Sequence, residues 1–420
     1  INYNYQEKYL VELSARYNGS SRFPKHNRFG FFPSGSIGYV ISKEDFFQAA
    51  LPYINNLKVR ASYGALGNQN VNNYLYYSRL NVSPNLNWII NNARPQYATV
   101  PALISDEITW ETITTVNFGL DASLLRSRLG VTFDWYNRTT NDMLGPAVTL
   151  PYVLGAVTPL ANNAKMETKG YEVVISWNDR LSDRFSYNLK FTLGDSKSKI
   201  LEYRNVNGLI DTWYAGKMYG EIWGLTTDGL IQNAGESIAD QSKYYSTWGP
   251  GDMKYVDVNA DGKINDGSRT LDNHGDLKVI GNRSPRYNIG FTGGFRFDNF
   301  DFNMFWQGIG KQEFQPDAGS SLFWGMNASW QNSGLYKDSP GLDYWRPSNE
   351  ASILGANTDA YFAKPYFTVE NDFSVELGQS VDVVVKSVPE NSDKSKIIVE
   401  ATDNIVEING MNIKAVARGK

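Results

Sequence analysis

Tyr287-Asn288-Ile289-Gly290-Phe291-Thr292-Gly293-Gly294-Phe295-Arg296-Phe297, then Asp298-Asn299, then Phe300-Asp301-Phe302-Asn303-Met304-Phe305-Trp306-Gln307 is the stretch on which the fold turns. Tyr287, Ile289, Phe291, Gly293, Phe295 and Phe297 share one parity, and Asn288, Thr292 and Arg296 share the other. After Asp298-Asn299 the parity flips, so that Phe300, Phe302, Met304 and Trp306 alternate with Asp301, Asn303 and Gln307. A two-residue turn pairs residue i with i+3, which keeps Phe297 and Phe300 on one face. The hairpin is therefore aromatic on one side and wet on the other. Upstream, Gly249 to Asp266 is acidic, rich in turn residues and spaced like a calcium loop.

The same two-sided pattern recurs along the chain. Tyr9, Val11, Leu13, Ala15 and Tyr17 alternate with Leu10, Glu12, Ser14 and Arg16, and Gly35, Ile37, Tyr39 and Ile41 follow. Leu57, Val59, Ala61 and Tyr63, then Val116, Phe118, Leu120 and Ala122, then Leu129, Val131, Phe133 and Trp135 repeat it. Tyr171, Val173, Ile175 and Trp177 pair with Tyr187, Leu189, Phe191 and Leu193. These are period-2 strands with one apolar face, nine in all with the hairpin. The links at 124–128, 178–184 and 298–299 are short, and those at 65–111, 138–168 and 195–285 are long. Short and long links alternate, which puts every tight turn at one end of the sheet and every long loop at the other. An all-β, antiparallel outer-membrane β-barrel with long extracellular loops is built this way. The alternative is a large soluble sheet protein that buries the same face.

Composition bounds the rest. The chain has 420 residues, no cysteine, two histidines, a formal charge of −4, and 14% aromatic residues led by 26 Tyr and 11 Trp. Disulfides and thiolate metal sites are excluded. The charge is too small to imply a nucleic-acid partner. No run of about 18 apolar residues forms a transmembrane helix. The start does not read as a signal peptide, so an exported protein would carry one upstream. The aromatic excess suits membrane interfaces or sugar-stacking surfaces.

Several motifs carry a family resemblance. Tyr17-Asn18-Gly19-Ser20-Ser21-Arg22-Phe23, Leu57-Lys58-Val59-Arg60-Ala61-Ser62-Tyr63-Gly64, Asn117-Phe118-Gly119-Leu120-Asp121, Tyr136-Asn137-Arg138-Thr139-Thr140-Asn141 and Lys169-Gly170-Tyr171-Glu172 occur in order. With Gly281-Asn282-Arg283-Ser284-Pro285-Arg286-Tyr287 they resemble the barrel of SusC/RagA-type TonB-dependent outer-membrane transporters. The resemblance implies import of oligosaccharides, peptides or other large nutrients. It implies a SusD-like surface lipoprotein as partner, and TonB acting through a plug that this chain lacks. It places the protein in lipid of the outer membrane of a Gram-negative, Bacteroidetes-like bacterium. Such barrels close with roughly 22 strands, so residues 1–365 read as a barrel segment, not closed and without a plug. Residues 366–420 change character: short Val/Ile strands, Leu377-Gly378-Gln379-Ser380-Val381 and Ile405-Val406-Glu407-Ile408-Asn409-Gly410 resemble part of a bacterial Ig-like group 2 module. That tail reads either as a surface spacer or adhesion module, or as a small β-sandwich fragment without ligand.

The candidate sites lie in the loops. Asp257, Asn259 and Asp261 occupy positions 1, 3 and 5 of a calcium-type loop, Gly262 the turn at 6 and the Lys263 carbonyl position 7. Position 12 is Ser268, not Glu, so Asp266 or Asp272 is expected to substitute if Ca2+ binds. A turn closed by Asx side chains alone explains the same residues. Trp213, Trp223, Tyr244 and Trp248 are candidate substrate-binding residues, against the simpler reading that they pack loop on loop. Trp135, Tyr136 and Trp177 read as interface aromatics. Catalysis has no frame: there is no Cys, Gly310-Lys311 lacks the other P-loop residues, and no carboxylate pair stands out. The expected function is transport. A soluble calcium-bound carbohydrate-binding or adhesion protein is the alternative.

Overall fold

The computed structural model describes residues 1–315 apart from 81, 100, 102, 146–152 and 154–158. Beyond 315 it describes the strands Thr368–Val369, Ser380–Asp382, Val385–Lys386, Val406–Asn409 and Asn412–Ala415. The Ig-like tail therefore falls largely outside the described residues. The strands before 315 are β1 (Asn2–Tyr5), β2 (Tyr9–Gly19), β3 (Phe29–Val40), β4 (Ile54–Asn68), β5 (Val82–Ser83), β6 (Tyr97–Ala98), β7 (Glu111–Leu124) and β8 (Leu129–Gly145). They continue with β9 (Ala161–Arg180), β10 (Phe185–Tyr203), β11 (Glu221–Gly224), β12 (Thr227–Leu230), β13 (Met253–Tyr255), β14 (Lys278–Asn282), β15 (Arg286–Phe297) and β16 (Phe300–Lys311). Ten of them form one antiparallel sheet, in the order β1-β2-β3-β4-β7-β8-β9-β10-β15-β16. The sheet is open, with β1 and β16 at its edges. This is a partial barrel wall.

All sheet neighbours are adjacent among the long strands, so every link is a hairpin link. The turns 6–8, 125–128, 181–184 and 298–299 lie at one end with the link 41–53, and the strand ends joined by 20–28 and by the three longer links of β4 to β7, β8 to β9 and β10 to β15 lie at the other. The alternation of ends holds, but length alone does not mark it, since 41–53 is longer than 20–28. The tenth strand, β1, alternates Tyr3 and Tyr5 with Asn2 and Asn4, but its 4 residues are too few to stand out in sequence. It is joined to β2 by Gln6 and Glu7, both with positive φ (52° and 55°), in a hairpin turn without glycine. Asp298 likewise turns with φ 51°, and Phe297 pairs with Phe300 as the parity argument requires.

The sheet has one apolar and one polar face. One hydrogen-bonded row on the apolar side runs Tyr9, Tyr39, Val59, Leu120, Phe133, Val173, Leu193 and Ile289. Nothing among the described residues covers this face: Ile37 is 60% exposed, Phe118 53% and Trp306 66%. In water such a face would be a large aggregation-prone patch.

The edge of the apolar band is slanted. The outward row Leu13, Gly35, Tyr63, Val116, Asn137, Lys169 and Lys197 is apolar on β2 to β7 and polar on β8 to β10. On β2 the apolar side reaches Tyr17, four residues above this row, whereas on β10 it stops at Leu193, four below it. That is a drift of about eight residues over six strand-to-strand steps. At about 3.4 Å per residue and 4.8 Å per strand, the band lies about 45° to the strands, the tilt of strands in a membrane barrel. A flat apolar slab crossed by tilted strands produces this slant.

Buried side chains gather at the loop end. Phe23, Phe32, Ala65, Val71, Ile108 and Trp110 form one cluster, with Trp110 donating from Nε1 to the Arg28 carbonyl (3.1 Å). Met143, Ala164 and Ile200 form a second, packed against Met166, Tyr203 and Trp213. The chain divides into two compact units, and the sheet and both clusters belong to the first. The second unit holds 223–268 and 273–280, where Leu230, Ile231, Ile264 and Leu277 are buried.

Candidate functional site

The polar face of the sheet is built from short side chains interleaved with long charged ones. Arg60 on β4 donates from Nε to Asp121 (3.0 Å) and from Nη2 to Asp134 (2.6 Å), reaching across β7 to β8. Gly119 stands between them in the same row, and a Cβ there would lie 2.4 Å from the guanidinium carbon. The glycine in Asn117-Phe118-Gly119-Leu120-Asp121 thus makes room for the ion pair. Gly170 has the same logic: the ring of Tyr136, its direct cross-strand partner, lies over it, with Oη 2.5 Å from where a Cβ would be. Tyr136 therefore belongs to the polar face, while Trp135 and Trp177 lie on the apolar one, where Trp177 donates to the Tyr187 hydroxyl (3.1 Å). A groove of about 460 Å³ runs over Glu12, Ser36, Lys58, Arg60, Ser62 and Asn117.

The loop after β10 is stapled above this face. Asp211 accepts two hydrogen bonds from Arg269 (2.8 and 2.6 Å), and the guanidinium holds its carboxyl below the usual carboxylate range. Lys217 donates to the carbonyls of Ile210 (2.6 Å) and Thr212 (2.9 Å), and its burial pulls its pKa below that of an ordinary lysine. Between these anchors Trp213 packs edge-on against Tyr203, ring centroids 6.0 Å apart. Trp213 is half-buried on the second cluster.

In the second unit the 257–266 loop is closed by its own side chains. Asp257 accepts from the amides of Asp261 (3.2 Å) and Gly262 (2.7 Å), Asn259 from Asp261 (3.1 Å), and Asp261 from Lys263 (2.8 Å). Gly262 takes φ 80°, as position 6 of the loop demands. Asp266 is engaged by an ion pair with Lys243. The Lys263 carbonyl accepts only a 3.5 Å contact from Asn265. Among the described residues no three His, Cys, Asp or Glu side chains gather as a metal ligand set. The oxygens of Asp257, Asn259 and Asp261 each retain lone pairs beyond these bonds, so the donor set suits a hard cation.

Sequence reasoning missed the residue that holds this loop. Asp276 is fully buried, accepts from the amides of Val258 (2.8 Å) and Asn265 (2.7 Å), and donates its own amide to the Asn265 carbonyl (2.8 Å). It ties the loop's two ends together. Gln241 does similar work: its amide pairs with the Met253 carbonyl (2.8 Å) and the Tyr255 amide (3.2 Å), imitating a neighbouring strand. Asp276 and Gln241 lie outside any motif, and neither has periodicity to betray it.

The aromatic candidates of the second unit fall in two places. Trp248 packs edge-on against Tyr245 and Tyr255 (6.0 Å each) and donates to the Gln241 carbonyl (2.9 Å). Tyr244 joins this group through Tyr255 (6.2 Å) and is 41% exposed. Burial raises the pKa of the Tyr255 phenol, so it stays neutral. Trp223 stands apart, 5.4 Å from the His274 ring. Trp213 belongs to the first unit. Tyr244 and Tyr245 are the most exposed members, at 41% and 47%, and the Lys243 ammonium lies over the Tyr244 ring, 5.8 Å from its centroid.

A family model described as TonB dependent receptor-like, beta-barrel matches residues 1–216. TonB-dependent receptor P3 of Formosa agariphila is 30% identical over 322 residues, covering 73% of this chain and 31% of that protein. TonB-dependent receptor SusC of Bacteroides thetaiotaomicron is 26% identical over 398 residues, covering 90% of this chain and 37% of that protein. Among solved structures, the RagAB peptide transporter superposes with a TM-score of 0.57 at 20% identity, over 73% of this chain and 32% of that one. The chain spans about a third of the length of these relatives.

Proposed function

Because this chain belongs to the TonB-dependent receptor β-barrel family, we propose that it is a wall segment of an outer-membrane importer for large nutrients. The observation that carries the reading is the slanted apolar band on an uncovered sheet face. In that setting the turn end is periplasmic, the loop end is extracellular and the polar face lines the lumen. Members of the family are transporters, not enzymes. We infer oligosaccharide as the substrate class, with peptide as the second possibility. Support comes from the exposed side chains of Tyr244 and Tyr245 and from Trp213 above the polar face. A SusD-like lipoprotein would close over the loop end, and TonB would act through a plug domain.

The 257–266 loop is proposed to take a structural Ca2+ through Asp257, Asn259, Asp261 and the Lys263 carbonyl, with Asp266 released from Lys243. The cation would draw these oxygens onto one centre in a loop that Asp276 already closes. Calcium titration of the intact protein against Asp257→Ala/Asp261→Ala tests this, and identical isotherms would remove the site. The tail from 366 onward is proposed as part of a bacterial Ig-like spacer.

The soluble adhesion reading requires a cover for the apolar face. Purification decides between them. An importer segment needs detergent to stay monodisperse, and a stable monodisperse protein in plain buffer would sink the membrane reading. Uptake of labelled oligosaccharides and peptides by cells carrying Trp213→Ala/Tyr244→Ala then tests the substrate class. Unchanged uptake of both would remove these two residues from the solute path.

A further inference from the structure

Above the slanted edge of the apolar band, the outward face carries a concentration of lysines. Lys169 on β9 is the first outward residue beyond Tyr171, and Lys197 is its direct partner across the β9–β10 ladder. Lys199 follows on β10, opposite Glu167. All three lysines are exposed. Two like charges directly opposite each other in an antiparallel pair are destabilising, so this placement has a cost that a bound anion would remove. The carboxylates nearby do not remove it. Glu167 pairs with Lys169 (3.0 Å), and Asp195 is engaged bidentately by Arg286. The patch therefore holds four cations against two carboxylates. A groove of about 500 Å³ runs between them and the interface pair Trp135 and Tyr171.

The position is specific. Trp135 and Tyr171 mark the headgroup level on β8 and β9, and the lysines begin one outward position above it, on the side of the long loops. A cationic groove at that depth, open toward lipid, matches a phosphate carried on a membrane-anchored sugar. We propose that Lys169, Lys197 and Lys199 bind the phosphorylated glycolipid headgroup of the outer leaflet. The acyl chains lie along the apolar band below, and the sugar phosphate meets the lysines as point charges. This rests on the outward face lying against lipid.

The test uses the intact outer-membrane protein, purified in detergent and stripped of lipid, with native mass spectrometry as readout. The probes are phosphorylated lipid A, the same lipid dephosphorylated, and inorganic phosphate as competitor. Each cation near a charged membrane surface contributes about 1 kcal/mol, so Lys169→Gln/Lys197→Gln/Lys199→Gln should weaken binding of the phosphorylated lipid about a hundredfold. Lys190→Gln, on the lumen face, should leave it unchanged, and Lys197→Arg should retain most of it. The triple variant's folding is checked by heat-modifiable migration. Equal binding of phosphorylated and dephosphorylated lipid overturns the proposal while leaving the membrane reading intact. Full displacement by millimolar inorganic phosphate also overturns it, because the site would then be one for free phosphate.

Discussion

Asp276 offers the sharpest local perturbation. Its carboxylate is fully buried and accepts two backbone hydrogen bonds, at 2.8 Å from Val258 and 2.7 Å from Asn265, one at each end of the 257–266 loop. Hydrogen bonds to a charged acceptor contribute about 1.5–3 kcal/mol each, and an amide left buried without a partner bears its desolvation penalty. Asp276→Ala removes both bonds and is expected to destabilise the loop by about 3–5 kcal/mol. Asp276→Asn keeps one acceptor and turns an NH2 group toward the other amide, so about half that loss is expected. Hydrogen exchange is the assay. The Val258 and Asn265 amides should lose about two to four orders of magnitude of protection in the alanine variant. Amides in β9 and β10 should not change. Unaltered protection at Val258 and Asn265 would refute the claim that this carboxylate ties the loop, and loss across the whole sheet would refute its being local.

Two further outcomes follow from side chains in contact. Gly170→Ala places a Cβ 2.5 Å from the Tyr136 hydroxyl and 2.8 Å from the Asp195 carbonyl, an overpacking expected to cost about 1–3 kcal/mol in a urea titration of the detergent-solubilised protein. In a Tyr136→Ser background the cost should shrink without vanishing, because the backbone contact remains. The Asp211–Arg269 staple depends on pH with a fixed sign. The folded carboxyl titrates below its unfolded value of about 3.9, so its contribution is complete above that pH and disappears as pH falls through the folded value. Protection of the Ile210 and Leu271 amides, which bond to Arg269 and Gly208 across the staple, should be steady from pH 7 to 5 and drop below about 4. A loss already complete by pH 5 would assign the effect to another group.

The barrel wall was legible in sequence wherever one side of a strand meets an apolar medium. Phe297 and Phe300, or Val173 and Leu193, announce their face through period 2. The signal ends where that medium ends. β8 to β10 run on to Gly145, back to Ala161 and on to Tyr203, well beyond the last alternating residue, because there the outward face turns polar while Met143, Ala164 and Ile200 pack on the other side beneath Trp213, which breaks the period-2 pattern. β1 escaped notice for its shortness and its turn at Gln6-Glu7. The slant of the band needs the register, since no single strand reveals how its apolar limit compares with its neighbour's. The candidate site was legible in its ligand spacing, Asp257, Asn259 and Asp261, but not in its supports. Asp276 and Gln241 act through backbone partners 11 to 18 residues away and leave no pattern. The aromatic candidates were read as one class by composition, and within the second unit the structure separates Trp223 from the Tyr244, Tyr245, Trp248 and Tyr255 group.

The central claim is that one sheet face lies against lipid and the other against water. The 420 residues contain no cysteine, so a cysteine introduced here is the only thiol of this stretch, and the protein without it sets the background. A scan along β16 from position 300 to 307, in the intact protein in liposomes, compares a membrane-impermeant thiol reagent with a lipid-soluble one. The account predicts strict alternation: Phe300→Cys, Phe302→Cys, Met304→Cys and Trp306→Cys react from lipid, and Asp301→Cys, Asn303→Cys and Phe305→Cys react from water. Aqueous labelling at every position, or protection that follows no period of two, would contradict it.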